Sequence, residues 1–124
     1  MATYMTTDTK TATPSLGWNI NDWAAAYRSG ATPTELLESL REAIAGQELV
    51  NGSPKSGSAW ISLASESQLA TQIDFLTSLK AAADTAGKTL PLYGVPFAVK
   101  DNIDVATFPT TAACPEYSYD PVAD

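Results

Sequence analysis

Between Ala59 and Lys100 the chain runs a short apolar stretch, a long amphipathic helix and a second short apolar stretch, and that order restricts its fold more than any other feature. Ala59-Trp60-Ile61-Ser62-Leu63 reads as a buried strand. Ser65 and Gln68 make a capping box, after which Leu69, Ile73, Leu76, Leu79 or Lys80, and Ala83 step along one helical face to Gly87. A turn through Pro91 leads to Tyr93-Gly94-Val95-Pro96-Phe97-Ala98-Val99-Lys100, a second strand. Strand, helix, strand is the pattern of a parallel βαβ unit and so of an α/β fold. Two parallel strands leave two open edges and two faces to cover, so this unit is expected to be incomplete by itself.

The residues before the unit predict a helical hairpin. Asn19 can cap a helix carrying Ile20, Trp23, Ala24 and Tyr27 on one side, with Gly30 as its stop. Thr32-Pro33-Thr34-Glu35 then opens a second helix with a capping Thr, a proline at the first helical position and a glutamate three residues after the cap. Leu36, Leu37, Leu40 and Ile44 give it an apolar side and Gly46 its expected end. Trp18, Trp23 and Trp60 are read as core anchors. Residues 1–17 are expected to be a disordered tail, and Asn51 to Ser58 a flexible surface loop. Asp101 to Asp124, rich in Pro, Thr, Asp and Tyr, offers no further helix or strand. The expected class is therefore α/β: a helical hairpin, then the opening strands of a mixed sheet flanked by helices.

Composition removes several classes of chemistry. None of the 124 residues is a histidine, so mechanisms that need an imidazole and the common His-bearing zinc sites fail within this chain. A general base must be a carboxylate, a lysine, a tyrosine or the single thiol. A net charge of −7 disfavours a nucleic-acid partner. The Thr-rich start has no signal-peptide core and no later stretch suits a membrane span, so a cytoplasmic protein without a membrane partner is the expectation.

Strand alternation sets Val95, Phe97 and Val99 on one face and Pro96, Ala98 and Lys100 on the other. Lys100 then ends a buried strand, where α/β sheets place ligands. Loss of solvation there favours a neutral, basic amine. The alternative for an isolated lysine is a solvated strand end paired with Asp101 or Asp104.

The run Gly94-Val95-Pro96-Phe97-Ala98-Val99-Lys100-Asp101-Asn102 resembles the first signature block of the amidase signature family of serine hydrolases. Its continuation through Ile103-Asp104-Val105-Ala106, Pro109-Thr110-Thr111-Ala112-Ala113-Cys114-Pro115, Tyr117 and Tyr119-Asp120-Pro121 is most similar to the allophanate hydrolase branch. The resemblance covers residues 18–124, most strongly from Pro91 onward. It implies that this stretch is the N-terminal portion of an amidase-signature domain. It further implies hydrolysis of a small-molecule amide, urea-1-carboxylate, to ammonia and carbon dioxide through a Ser, cis-Ser, Lys triad. Lys100 matches the lysine of that triad, and Asp101 and Asn102 are expected to support it by holding the turn. No cofactor or metal is implied.

The Gly-rich Ser-Ser loop of the family is missing from these residues, so this chain alone is expected to be inactive, with its substrate-binding positions unknown. Another amide substrate, an amidotransferase subunit, a non-enzymatic interaction module, and a homo-oligomer of the full-length protein stay open. Thr107-Phe108 departs from the family, which has glycine followed by Leu or Tyr there, placing a β-branched residue where glycine is favoured. The loop from Gly52 to Ser58 looks longer than the branch needs. Cys114 has no basic cluster to activate it and reads as a small packed residue. Asp101 and Asp104 lack the fuller oxygen set of a calcium loop.

Overall fold

The fold is described from a computed structural model, which covers residues 13–14, 17–50, 53–54 and 56–124. The expected tail therefore lies almost wholly outside the described residues, as do Asn51, Gly52 and Lys55 of the expected loop. Helix α1 spans Ile20–Arg28, α2 Pro33–Glu48 and α3 Glu66–Thr85; Leu49–Val50 (β1) pairs antiparallel with Ser53–Pro54 (β2), and Pro115–Tyr117 is a single 3₁₀ turn.

The helix starts follow from local chemistry. Asn19 Oδ1 takes the amides of Asn21 and Asp22, while Asp22 returns a carboxylate to the Asn19 amide at 2.8 Å. Thr32 and Glu35 make the equivalent exchange at the head of α2, and Ser65 and Gln68 at the head of α3. The Thr32 amide and hydroxyl hold the exposed Glu35 carboxyl below its usual value. Gly30 and Gly87 lie past the ends of α1 and α3 in the left-handed region. Gly46 does not end α2, which continues to Glu48. A glycine inside a helix weakens it by about 1 kcal/mol, too little to stop one already anchored by Leu36, Leu40 and Ile44.

The core lies where α1 crosses α2. Trp23, Leu36, Leu40 and Ile44 are buried together, with Trp18, Tyr27, Trp60, Leu63 and Val95 packed around them. Trp18 stands edge-on to Trp23 at 5.1 Å, so the three tryptophans cluster at one place. On α3 the buried residues are Ile73 and Ala83, with Leu69, Leu76 and Lys80 half-buried beside them. Lys80 rather than Leu79 takes the packed side: its stem lies inward while Nζ reaches Asp84 at 2.5 Å and stands 5.8 Å from the centre of the Tyr93 ring.

The sheet detail differs from expectation. Ala59 to Leu63, bent at Ala59 and Ile61, and Val95 to Lys100 flank α3 without forming strands, and no ladder joins them to each other or to any described strand. A strand is defined by its partner's hydrogen bonds, and an apolar run without a partner is not held as one. Phe97 is 87% exposed, with Leu92, Val99 and Ile103 also open to solvent. Among the described residues no helix is long and apolar enough to cross a membrane.

Candidate functional site

The backbone leading to Lys100 is fixed by α1. The Tyr27 hydroxyl donates to the Gly94 carbonyl at 2.7 Å, and Val95 packs on the core. Gly94 is required twice over. Its φ of +65° favours a residue without Cβ, and a Cβ there would stand 2.3 Å from the Tyr27 oxygen. Burial, with the neighbouring Tyr93 hydroxyl, pushes the Tyr27 phenol up to about 12, so it remains a donor at any working pH.

Beyond Val95 the chain leaves the core, and Lys100 is exposed rather than buried at a sheet end. Desolvation of its amine is therefore not supplied by the described residues: the strand expected to enclose it has no neighbours here. Neither Asp101 nor Asp104 forms an ion pair with it, and no described residue hydrogen-bonds its Nζ. Its carbonyl accepts the Ile103 amide at 3.0 Å, closing a tight turn directly after the lysine.

That turn returns through two carboxylates. Asp101 accepts from the Thr111 hydroxyl, the Thr111 amide at 3.2 Å and the Ala113 amide at 3.2 Å, while its own carbonyl takes the Ala112 amide at 2.9 Å. The Thr111 hydroxyl, with the amides of residues 111–113, holds the Asp101 carboxyl below the usual range against a smaller opposing effect of burial. Asp104 accepts from Thr110 Oγ1 at 2.9 Å and Tyr119 Oη at 2.5 Å, and the latter bond raises the Tyr119 phenol. Thr110 and Tyr119 also exchange backbone hydrogen bonds as an isolated antiparallel bridge. Asn102 is exposed in the turn, and its side chain bonds no described residue. The Cys114 thiol is half-buried and donates to Glu116 Oε2 at 3.1 Å.

Three residues of this segment other than glycine have positive φ: Thr107 at 78°, Ala112 at 49° and Ala113 at 59°. Each costs on the order of 1–2 kcal/mol in an L-residue. Thr107 is where the resemblance set a glycine against this sequence, and the left-handed backbone gives the reason. Ala112 and Ala113 occupy both central positions of a turn closed by the Cys114 amide on the Thr111 carbonyl at 2.8 Å, a geometry that usually selects Asn-Gly. The Asp101 carboxylate bridging Thr111 and Ala113 keeps that turn in place. Strain held by neighbouring side chains occurs at functional segments, and here it lies seven to thirteen residues after Lys100, in the loop that Asp101 clamps.

The described residues thus bring together one amine on a firmly held backbone and a braced loop behind it. Among them no group of three His, Cys, Asp or Glu is placed to bind a metal. A cleft of about 480 Å³ between α2 and α3 is lined by Glu38, Arg41, Glu42, Glu66 and neighbours, and includes nothing from the Lys100 segment. Thr110, Thr111 and Tyr119 were not singled out as partners of the two carboxylates, because no local pattern marks a contact closed across a loop.

Comparison with known proteins gives concordant results. The Amidase family model matches residues 56–123. The urea amidolyase of Saccharomyces cerevisiae is 46% identical over 116 residues, or 92% of this chain, and that of Lachancea kluyveri 44% identical over 110 residues, or 89% of it. This chain spans only 6% of the length of each. Among solved structures, the selenomethionine-substituted allophanate hydrolase of Kluyveromyces lactis superposes with a TM-score of 0.65 at 44% identity, over 87% of this chain and 16% of the other. The K. lactis urea amidolyase gives the same score and identity over 6% of its chain.

Proposed function

This chain belongs to the amidase family, and from that premise we propose that it supplies the general base of an allophanate hydrolase. Its reaction is hydrolysis of urea-1-carboxylate to ammonia and carbon dioxide. The observation that carries this reading is 44–46% identity to two urea amidolyases over about nine tenths of the chain. The Tyr93 to Pro115 segment holds the lysine block.

In the proposed mechanism the neutral Lys100 amine takes a proton, through a bridging serine, from a nucleophilic serine. The serine oxygen attacks the amide carbonyl, ammonia leaves, and water hydrolyses the acyl-enzyme. Neither serine is found beside Lys100 among the described residues, so both belong to the rest of an amidase domain in which this chain takes part. The same domain supplies the strands that pair with the segments at 59–63 and 95–100, making them opening strands of a mixed sheet. It covers Phe97 and Val99 and removes water from Lys100. Desolvation then favours the neutral amine that the chemistry needs. Asp101, by clamping the turn behind the lysine, acts as a positioning residue, with Asn102 at the apex. The enzyme works in the cytoplasm on a small-molecule amide, without a cofactor.

The deciding experiment replaces Lys100 in the complete enzyme. Lys100→Ala is expected to abolish turnover of allophanate with the fold retained, and Lys100→Arg not to restore it, because a guanidinium does not give up its proton at working pH. Wild-type rates in either variant refute the role. Faster turnover of simple aliphatic or aryl amides than of allophanate would keep the family and overturn the substrate.

A further inference from the structure

Gln68 does more than close a helix cap. Its Oε1 accepts the Ser65 amide at 2.8 Å, which completes the capping box of α3. Its Nε2 donates to the Thr107 carbonyl at 2.9 Å and to Thr107 Oγ1 at 3.1 Å. A glutamate closes a capping box equally well but has no proton to give, so only the amide can serve both ends. The residue it reaches is one of those in the left-handed region, at φ +78°. Thr107 sits in a turn closed by the Phe108 amide on the Val105 carbonyl at 3.1 Å.

The position of this contact gives it reach. Upstream of Lys100 the backbone is tethered at Gly94 by Tyr27. Downstream, Asp101, Asp104 and the Thr110–Tyr119 bridge knit residues 101–119 into one unit. Among the described residues, hydrogen bonds pass from the helices to that unit only at Gln68. Lys100 therefore lies between two tethers, one from α1 and one from α3.

We infer that Gln68 is a positioning residue for Lys100, fixing through Thr107 the loop on which the lysine's backbone turns. The inference rests on the reading of Lys100 as the general base. It is tested in the complete amidase polypeptide with Gln68→Glu, which keeps the cap and removes the donor. Ser65→Ala, which weakens the cap and leaves the donor, is its control. Gln68→Glu should speed backbone hydrogen exchange in residues 103–113 about tenfold while α3 stays protected, and lower kcat on allophanate about tenfold at unchanged KM, a barrier increase of about 1.4 kcal/mol. Ser65→Ala should leave kcat unchanged. Thr107→Gly placed in the Gln68→Glu background should recover most of the loss, since glycine adopts the turn without help.

Wild-type exchange in Gln68→Glu overturns the tether. Faster exchange with unchanged kcat overturns the positioning role, as does an equal loss of kcat in Ser65→Ala. Turnover by Lys100→Ala would instead sink the reading of the lysine, and the positioning role with it, while the exchange rates still report on the tether.

Discussion

Replacing Gly94 by alanine tests how the lysine segment is held. The substitution carries two separable costs. The first is conformational: at φ +65° an L-residue loses about 1–2 kcal/mol relative to glycine. The second is steric: the new Cβ would lie 2.3 Å from the Tyr27 oxygen, 2.5 Å from Cζ and 2.8 Å from Cε2, so the ring must move. The ring is not free to swing, because it stands 5.2 Å edge-on to Tyr93 and 6.3 Å from Trp23. Displacing it loses the bond to the Gly94 carbonyl, about 1 kcal/mol, and overpacks a filled site at a further cost of about 1–3 kcal/mol. The total is about 3–6 kcal/mol against a global stability of roughly 5–15 kcal/mol. Gly87 is a matched control, with φ +64° and nothing within 4 Å of a Cβ, so Gly87→Ala bears only the first cost. Urea unfolding followed by tryptophan fluorescence measures both, since Trp23 is next to the Tyr27 ring. Equal losses in the two variants, within about 0.5 kcal/mol, would refute the contact, because the conformational cost common to both glycines would then be the whole effect.

Three further substitutions probe other parts of the chain. Gly46→Ala should stabilise the chain by about 0.5–1 kcal/mol, because this helical glycine has open space at its Cβ position; a loss in the same urea titration contradicts its place inside α2. Ala113→Gly should raise stability by about 1 kcal/mol by relieving the left-handed strain, and a destabilised variant would show the turn to be unstrained. The folded Asp101 carboxyl titrates below its ordinary value of 3.8, so the stability it confers is fully present above that pH and fades as pH falls through the lower, folded value. Asp101→Asn should flatten the acid limb of the stability–pH curve in that window, and an unchanged limb would remove Asp101 as the clamp.

The parts of this fold that could be read from the sequence are those decided within a few residues. Asn19, Thr32 and Ser65 each cap a helix because donor and acceptor lie three residues apart, a distance the sequence displays directly. The Trp23, Leu36, Leu40 and Ile44 core follows from helical spacing in the same way. Gly46 does not mark the end of α2, because its cost of about 1 kcal/mol is too small to stop a helix whose preceding turns are anchored by Leu40 and Ile44. The two strands could not be judged at all from their own residues, since pairing depends on neighbours far away in sequence. At the candidate site, the motif draws attention to Lys100 and Asp101. Asp101 closing on Thr111 and Ala113, Asp104 on Tyr119 and Gln68 on Thr107 are contacts across loops, and no spacing rule announces them.

If Lys100 has the proposed role it must be both placed and desolvated, and the described residues supply only the first. Placement is present: Tyr27 fixes Gly94, Gln68 fixes Thr107, and Asp101 braces a turn that alanines alone would not adopt. Desolvation is not: Lys100 is exposed alongside Phe97 and Val99. On the proposed role, the strands that pair with this segment must close both of its faces, since alternation sets Phe97 and Val99 on one and Lys100 on the other. On that reading, completing the sheet and activating the proposed base are coupled, and a backbone already held in place supports both without further folding around the lysine.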